Sequence, residues 1–178
     1  MELSLYQAGS LFNAAERRHN VELESRLIGE AAKRDVKLTV TLPQRTALLR
    51  FISPEKGFDV AGIVEDCVKD AASHDFILCN TDGSDTDSGT AVEYGVALGQ
   101  RFAHQAGFNV KAPHIITYRT DFRTAPEKEV GLNAMLKAAG TTHIYHPCFA
   151  TELPEFDEFY KILTSRIVDV MMGMYKDK

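Results

Sequence analysis

The stretch "FILCNTDGSDTDSGTAVEYGVALG", residues 76–99, decides the reading of the fold. Phe76, Ile77, Leu78 and Cys79 run without a charge into Asn80, too short a run for a helix, and read as a buried strand. A turn crowded with Asp, Ser and Gly follows, and from about Ser88 or Gly89 the pattern becomes helical. Outward from it the same alternation repeats. From Asp59 to Ser73, Ile63, Val64, Cys67, Val68 and Ala71 fall on one face of a helix. "LSLYQA" (3–8) reads as a strand ending at Gly9, and the Ala, Glu, Arg and Leu-rich stretch to about Arg34 as a helix. "VKLTVTL" (36–42) alternates with the two-residue period of a strand, and Pro43 stops it. Downstream, "HIITYR" and "THIYH" are two further strands, with a loop and a short helix near Leu132 to Ala138 between them. A last helix runs from about Pro154 to Tyr175. Strands alternating with helices imply an α/β fold in one domain over residues 1–178, a mostly parallel sheet of about five strands with helices on both faces.

Composition bounds the partners. The chain has 178 residues, 44% of them hydrophobic, enough for one sizeable core. A formal net charge of -5 leaves no basic footprint for nucleic acid. No apolar run approaches a membrane span and "MELSLYQAG" lacks the character of a signal peptide, so no membrane partner and a cytoplasmic setting are expected. Cys67, Cys79 and Cys148 are odd in number and widely spaced, and read as buried thiols rather than a disulfide frame or zinc site.

Ligands of such sheets bind at the carboxyl ends of the strands, so the loops after Ala8, Leu42, Asn80 and Arg119 should share a cleft. "RTALLRFISPEKGF" (45–58) reads as a long polar loop that could form a flap over it. In "TDGSDTDSG", Asp82 and Asp85 suit a solvated, helix-capping turn. Neither a metal-binding loop, a phosphate-cradling P-loop nor a G-x-G-x-x-G fingerprint is present, and no metal or organic cofactor is expected. His143 and His146, on a strand, read as structural. Glu93 stands apart from the other acids. Early in its helix, where the dipole favours the ionised carboxylate, it has the small or apolar neighbours Ala91, Val92, Val96 and Ala97. Ala91, Gly95 and Gly99, four residues apart, would let that helix lie close against the sheet and point Glu93 into the cleft.

These residues also form a motif series. "Y-x-A-G-x-L-F" at Tyr6 to Phe12, "D-x-G-T-A-x-E-x-G-x-A" at Asp87 to Ala97 and "GLNAML" at 131–136 resemble the nucleoside 2-deoxyribosyltransferases over roughly the first 140 residues. The resemblance implies a flavodoxin-like or Rossmann-like three-layer sandwich. It also implies an enzyme that cleaves the N-glycosidic bond of a 2'-deoxynucleoside, holds the sugar as an ester of Glu93, and passes it to a free nucleobase. On this resemblance Tyr6 contacts the nucleophile, Asp75 contacts the base, and Asp87 binds sugar hydroxyls. Gly9 and Phe12 belong to the substrate-binding turn after the first strand, Phe12 packing on the base. Gln44 is a candidate base contact from "LPQRTALLRF". Asp87 favours a nucleoside over a nucleotide, since a carboxylate there repels a 5'-phosphate. Asn133 and Met135 match positions that enter the site of a neighbouring subunit, implying a dimer-based homo-oligomer, a hexamer among the options. Arg119 or Arg123 would brace a loop or an interface, or form an ordinary surface ion pair. A hydrolase using the same glutamate with water as acceptor, and a non-catalytic nucleoside- or nucleotide-binding module, are the competing readings.

Overall fold

The computed structural model describes residues 1–122 and 132–176. The chain runs β1 (Glu2–Ala8), α1 (Ala14–Ala32), β2 (Lys37–Thr41), α2 (Pro43–Leu49), β3 (Phe51–Ser53), β4 (Gly57–Phe58), α3 (Val60–Ser73), β5 (Phe76–Asn80), α4 (Ser88–Gln105), β6 (His114–Arg119), β7 (Thr141–Tyr145) and α5 (Leu153–Lys176). A short 3-10 turn, Ala134–Lys137, precedes β7.

Five strands form one sheet in the order β2-β1-β5-β6-β7, and every pairing in it is parallel. The two-residue period sorts its side chains into two cores. Leu3 and Leu5 of β1, with Phe76 and Leu78 of β5, pack under Leu23 and Leu27 of α1 and Leu163 and Ile167 of α5. Tyr6 and Ala8, with Ile77 and Cys79, pack on the other face beneath Ala71 of α3 and Tyr94 and Ala97 of α4. Strands covered on both faces can carry no exposed-face charge, which is why "FILC" reads as one apolar run. The result is a three-layer α/β sandwich of the flavodoxin-like type, as expected. Among the described residues, no helix is long and apolar enough to cross a membrane.

Strand order reverses between β1 and β5, so the connections leaving them diverge to opposite faces and open a crevice at their carboxyl ends. Two sequence expectations change here. Residues 45–58 are not a loop: Pro43 stands at the start of α2, where its missing N–H costs nothing, and β3 and β4 pair as an antiparallel hairpin. This unit is braced on both sides. Arg45 pairs with the buried Glu24 of α1, and Arg50 Nε and Nη2 each donate to Asp66 of α3 at 2.8 Å. It is therefore a pinned roof rather than a loose flap. On α3, Val64 and Val68 face outward, 56% and 38% exposed, whereas Ala71 is buried.

The thin face of α4 also points the other way from expectation. Gly95 and Gly99 are exposed, and a Cβ on either would meet nothing within 4 Å. The residues turned to the sheet are Thr90, Glu93, Tyr94 and Ala97. Close approach is needed instead at Gly9, where a Cβ would lie 3.1 Å from Asn80 Cβ and crowd β1 against β5.

Candidate active site

A cavity of about 470 Å³ occupies the crevice, roofed by α2 and β4 and walled by the starts of α1, α3 and α4. Leu11, Phe12, Ala47, Leu48, Phe58 and Ile63 make its walls largely apolar, and Glu93, Asp87, Cys67, Arg17 and Arg45 bring charge or proton chemistry to it. Glu93 is 8% exposed. From β1, the Tyr6 hydroxyl donates to its Oε1 at 2.7 Å, and Cys67 of α3 lines the same cavity. Tyr6, itself fully buried, is held there because β1 pairs with β2 and β5 at that register, Tyr6 opposite Thr41 and Ile77.

Burial dominates the electrostatics. It pushes the Glu93 carboxyl up to about 7, the hydrogen bond from Tyr6 opposes it, and repulsion from Asp87 and Asp70 adds to it. The helix dipole therefore does not hold Glu93 ionised well below neutrality, contrary to the sequence expectation; desolvation outweighs it. The same burial, with the neighbouring Glu93 charge, pushes the Tyr6 phenol far up, so Tyr6 stays a proton donor in the hydrogen bond.

Asp87 caps α4, its Oδ2 accepting Thr90 N–H at 2.8 Å and the Thr90 hydroxyl at 3.1 Å, and its carboxylate also borders a second, polar basin of about 570 Å³. Glu16, Asp82, Asp85 and Asp121 line that basin. Asp82 is no solvated turn residue. It staples the β5–α4 connection to the end of β6 by accepting from the Thr120 hydroxyl at 2.6 Å and Asp121 N–H at 2.9 Å. Arg119, 1% exposed, completes the staple through Asp121 Oδ1 and Gly83 O, each at 2.7 Å. Arg119 is thus a buried brace, not a surface ion pair; Arg123 lies outside the described residues.

Phe12 lies at the cavity mouth, 74% exposed. It is presented by a capping box in which Asn13 Oδ1 accepts Glu16 N–H at 3.0 Å while Glu16 Oε2 accepts Asn13 N–H at 3.1 Å, and the same Oε2 also accepts Phe12 N–H at 2.7 Å. The N-A-A-E spacing at 13–16 would have revealed this device in the sequence. Gln44 borders the cavity, but its amide is engaged by α1, accepting from Asn20 Nδ2 at 3.2 Å and donating to Arg17 O at 3.4 Å. It serves as a tie between α1 and α2 rather than as a free base contact.

Asp75 is a correction. It precedes β5, at the amino edge of the sheet, opposite the crevice. Its Oδ2 accepts Ser4 N–H at 2.9 Å and the Ser4 hydroxyl at 2.7 Å, and Lys111 Nζ stands 3.0 Å from Oδ1. Burial would raise its carboxyl, but these donors outweigh it and hold it below the usual aspartate range. Asp75→Ala should lower stability by roughly 1–3 kcal/mol, through the donors left behind, and leave the titration midpoint of the Glu93 carboxyl unmoved. A moved Glu93 midpoint in folded protein would return Asp75 to the site.

Asn133 and Met135 stand on the other side of α4, around a smaller recess lined also by Ala91, Tyr94 and Gly95. Asn133 Oδ1 caps the 3-10 turn by accepting Met135 N–H at 3.0 Å, and Met135 is 75% exposed. Within one chain they do not join the cavity that holds Glu93. His143 Nδ1 is 2.8 Å from Thr117 Oγ1, and His146 stacks on Phe159 at 5.2 Å. Both serve packing.

Fold and site together define a class: a flavodoxin-like three-layer α/β sandwich with a buried, tyrosine-bonded glutamate in the crevice between β1 and β5. No family model matches the chain, and no curated protein does. Among solved structures the chain is similar to a conserved protein from Enterococcus faecalis V583, at 21% identity and a TM-score of 0.58, over 91% of this chain and 98% of that one. That likeness shows the fold alone. An azoreductase from Bacillus anthracis str. Sterne is fainter, at 9% identity and a TM-score of 0.47, over 96% of this chain and 98% of that one.

Proposed function

We propose that this chain is a nucleoside 2-deoxyribosyltransferase that works in the cytoplasm on 2'-deoxynucleosides and free nucleobases through a covalent ester of Glu93. The observation that carries the reading is the buried Glu93 carboxylate held by the Tyr6 hydroxyl at 2.7 Å beside an apolar cavity. A glycosidic carbon that becomes oxocarbenium-like needs an anion against one face, and a carboxylate out of bulk water interacts with it strongly. Glu93 attacks C1', the C1'–N bond breaks, and the departing base takes a proton from water at the open end of the cavity. The incoming base nitrogen then displaces Glu93 and gives its proton to the hydroxide left by the first half-reaction, and two inversions restore the configuration.

The apolar walls suit the faces of a nucleobase, with Phe12 placed to stack. Asp87, which lines the same cavity, is the candidate acceptor for a sugar hydroxyl. The acid-lined basin beyond it favours a nucleoside, because a 5'-phosphate would meet Asp82, Asp85, Asp121 and Glu16. Asn133 and Met135, exposed and outside the chain's own cavity, are free to complete the site of a second copy, as a homo-oligomer with shared sites requires.

Purified protein given deoxyinosine and adenine should form deoxyadenosine, and denatured intact protein should gain the mass of one deoxyribosyl group. Free deoxyribose without deoxyadenosine would make it a hydrolase. Ligand binding with no turnover would make it a binding module.

A further inference from the structure

The Tyr6 hydroxyl can donate to Glu93 only while its ring keeps one tilt, and a residue outside the motif series lies against that ring. His74, which ends α3, places its imidazole 5.9 Å from the Tyr6 ring, centroid to centroid, at an interplanar angle of 42°. That separation is contact range for two planar rings. The imidazole is itself tethered at both nitrogens. Its Nδ1 lies 2.8 Å from Asp70 O, one turn back in α3, and its Nε2 lies 2.9 Å from Thr41 Oγ1 at the end of β2. A carbonyl can only accept, so Nδ1 carries the hydrogen toward Asp70 and, in the neutral ring, Nε2 accepts from the Thr41 hydroxyl. Thr41 pairs with Tyr6 across β1 and β2, and paired residues turn to the same face of the sheet. His74 thus joins the end of α3 to the edge strand β2, with the Tyr6 ring beside it.

We propose that His74 is a positioning residue for Tyr6, a ring fixed from two elements that holds the phenol at the tilt from which its hydroxyl donates to Glu93. The last carbon–carbon torsion of a tyrosine is soft. A phenolic hydrogen prefers the plane of its ring, so whatever fixes the tilt of the ring aims the hydrogen. A hydrogen bond of 2.7 Å leaves little room for error in that aim. His74 supplies the fixed surface, and its two tethers keep it from following the phenol. Because the donation favours the ionised carboxyl, a loosened Tyr6 leaves Glu93 harder to ionise. This inference rests on the proposed function only in taking Glu93 as the reacting group.

The test is a double-mutant cycle read by carbon-13 NMR titration of the Glu93 side-chain carboxyl, in wild type, His74→Ala, Tyr6→Phe and the double variant, with pH profiles of kcat/KM for base exchange beside it. In His74→Ala the midpoint should rise by roughly half a pH unit, and kcat/KM at pH 6 should fall about threefold through the smaller ionised fraction. In the Tyr6→Phe background, which has no hydroxyl to aim, the same substitution should leave the midpoint where it is. Thr41→Val keeps the branched shape of the strand residue and removes one tether. Its midpoint should move the same way by less, and it carries the test if the alanine variant does not fold. An unmoved midpoint in His74→Ala, or in Thr41→Val where the alanine variant is unfolded, overturns the proposal. A shift that persists undiminished in the Tyr6→Phe background also overturns it, since His74 then acts on Glu93 through its charge alone. Should wild type exchange no bases while the cycle shows this coupling, the proposed activity fails and the positioning role stands.

Discussion

Glu93→Gln should silence base exchange by about 10⁴-fold or more and at the same time make the protein harder to unfold above neutral pH. The first effect follows because an amide cannot form the glycosyl ester. The second follows from burial. The folded-state carboxyl titrates at about 7, against 4.5 for an ordinary glutamate. Below pH 4.5 both folded and unfolded forms are protonated and the group carries no penalty. Between 4.5 and about 7 the unfolded chain releases its proton and the folded protein does not, so stability falls as pH rises. Above about 7 the full cost of ionising a buried carboxyl is present, about 3 kcal/mol. Glutamine keeps the shape and still accepts from Tyr6, so it should recover much of that amount at pH 8 and little at pH 4.5. Urea midpoints of the two proteins at both pH values check this. Equal midpoints at pH 8 would mean that Glu93 is hydrated, and exchange at the wild-type rate would remove it from the chemistry. The same titration gives wild-type kcat/KM an acid limb centred near 7, since only the ionised carboxylate can attack.

Arg119→Leu should destabilise the fold by about 3–5 kcal/mol, the range for removing one partner of a buried, hydrogen-bonded ion pair. Arg119 is 1% exposed, and its guanidinium holds Asp121 Oδ1 and Gly83 O at 2.7 Å each. Asp121 Oδ2 in turn accepts Gly83 N–H at 2.6 Å, and Thr81 donates backbone and hydroxyl hydrogens to Tyr118 O. The connection from β5 to α4 is thereby fastened to the end of β6. Gly83 itself sits at φ +109°, a conformation other residues resist, so the loop depends on these bonds to keep its path. Loosening it frees the segment that ends at Asp87, and KM for the nucleoside should rise in whatever fraction remains folded. Urea unfolding within 1 kcal/mol of wild type would show that the staple is not structural.

Much of the candidate site is legible in the sequence. Tyr6, Gly9, Phe12, Asp87 and Glu93 cluster in one crevice because each sits at a strand end or helix start that the local pattern marks, and the reversal of strand order brings those ends together. Asp75 failed because one residue before β5 lies at the opposite edge of the sheet from one residue after it, and a motif match carries no information about which edge is meant. Gln44 does border the cavity, while its amide is also engaged by a neighbouring helix, α1, which no local pattern announces. Cys67, expected to be a buried thiol, is half-buried and borders the cavity, because a single cysteine in a helix has no spacing signature that tells core from cavity wall.

What the sequence by itself determined is the order of strands and helices, their apolar faces and the placement of a carboxylate just inside α4, since these follow from two- and 3.6-residue periods, turn residues and caps acting over a few neighbours. Only the tertiary structure decided which side of α4 meets the sheet, that residues 43–58 fold into a pinned roof, and that burial rather than the helix dipole governs Glu93. Those outcomes depend on which groups distant in sequence exclude water from one another, and desolvation is a property of the assembled layers that no local window of residues contains.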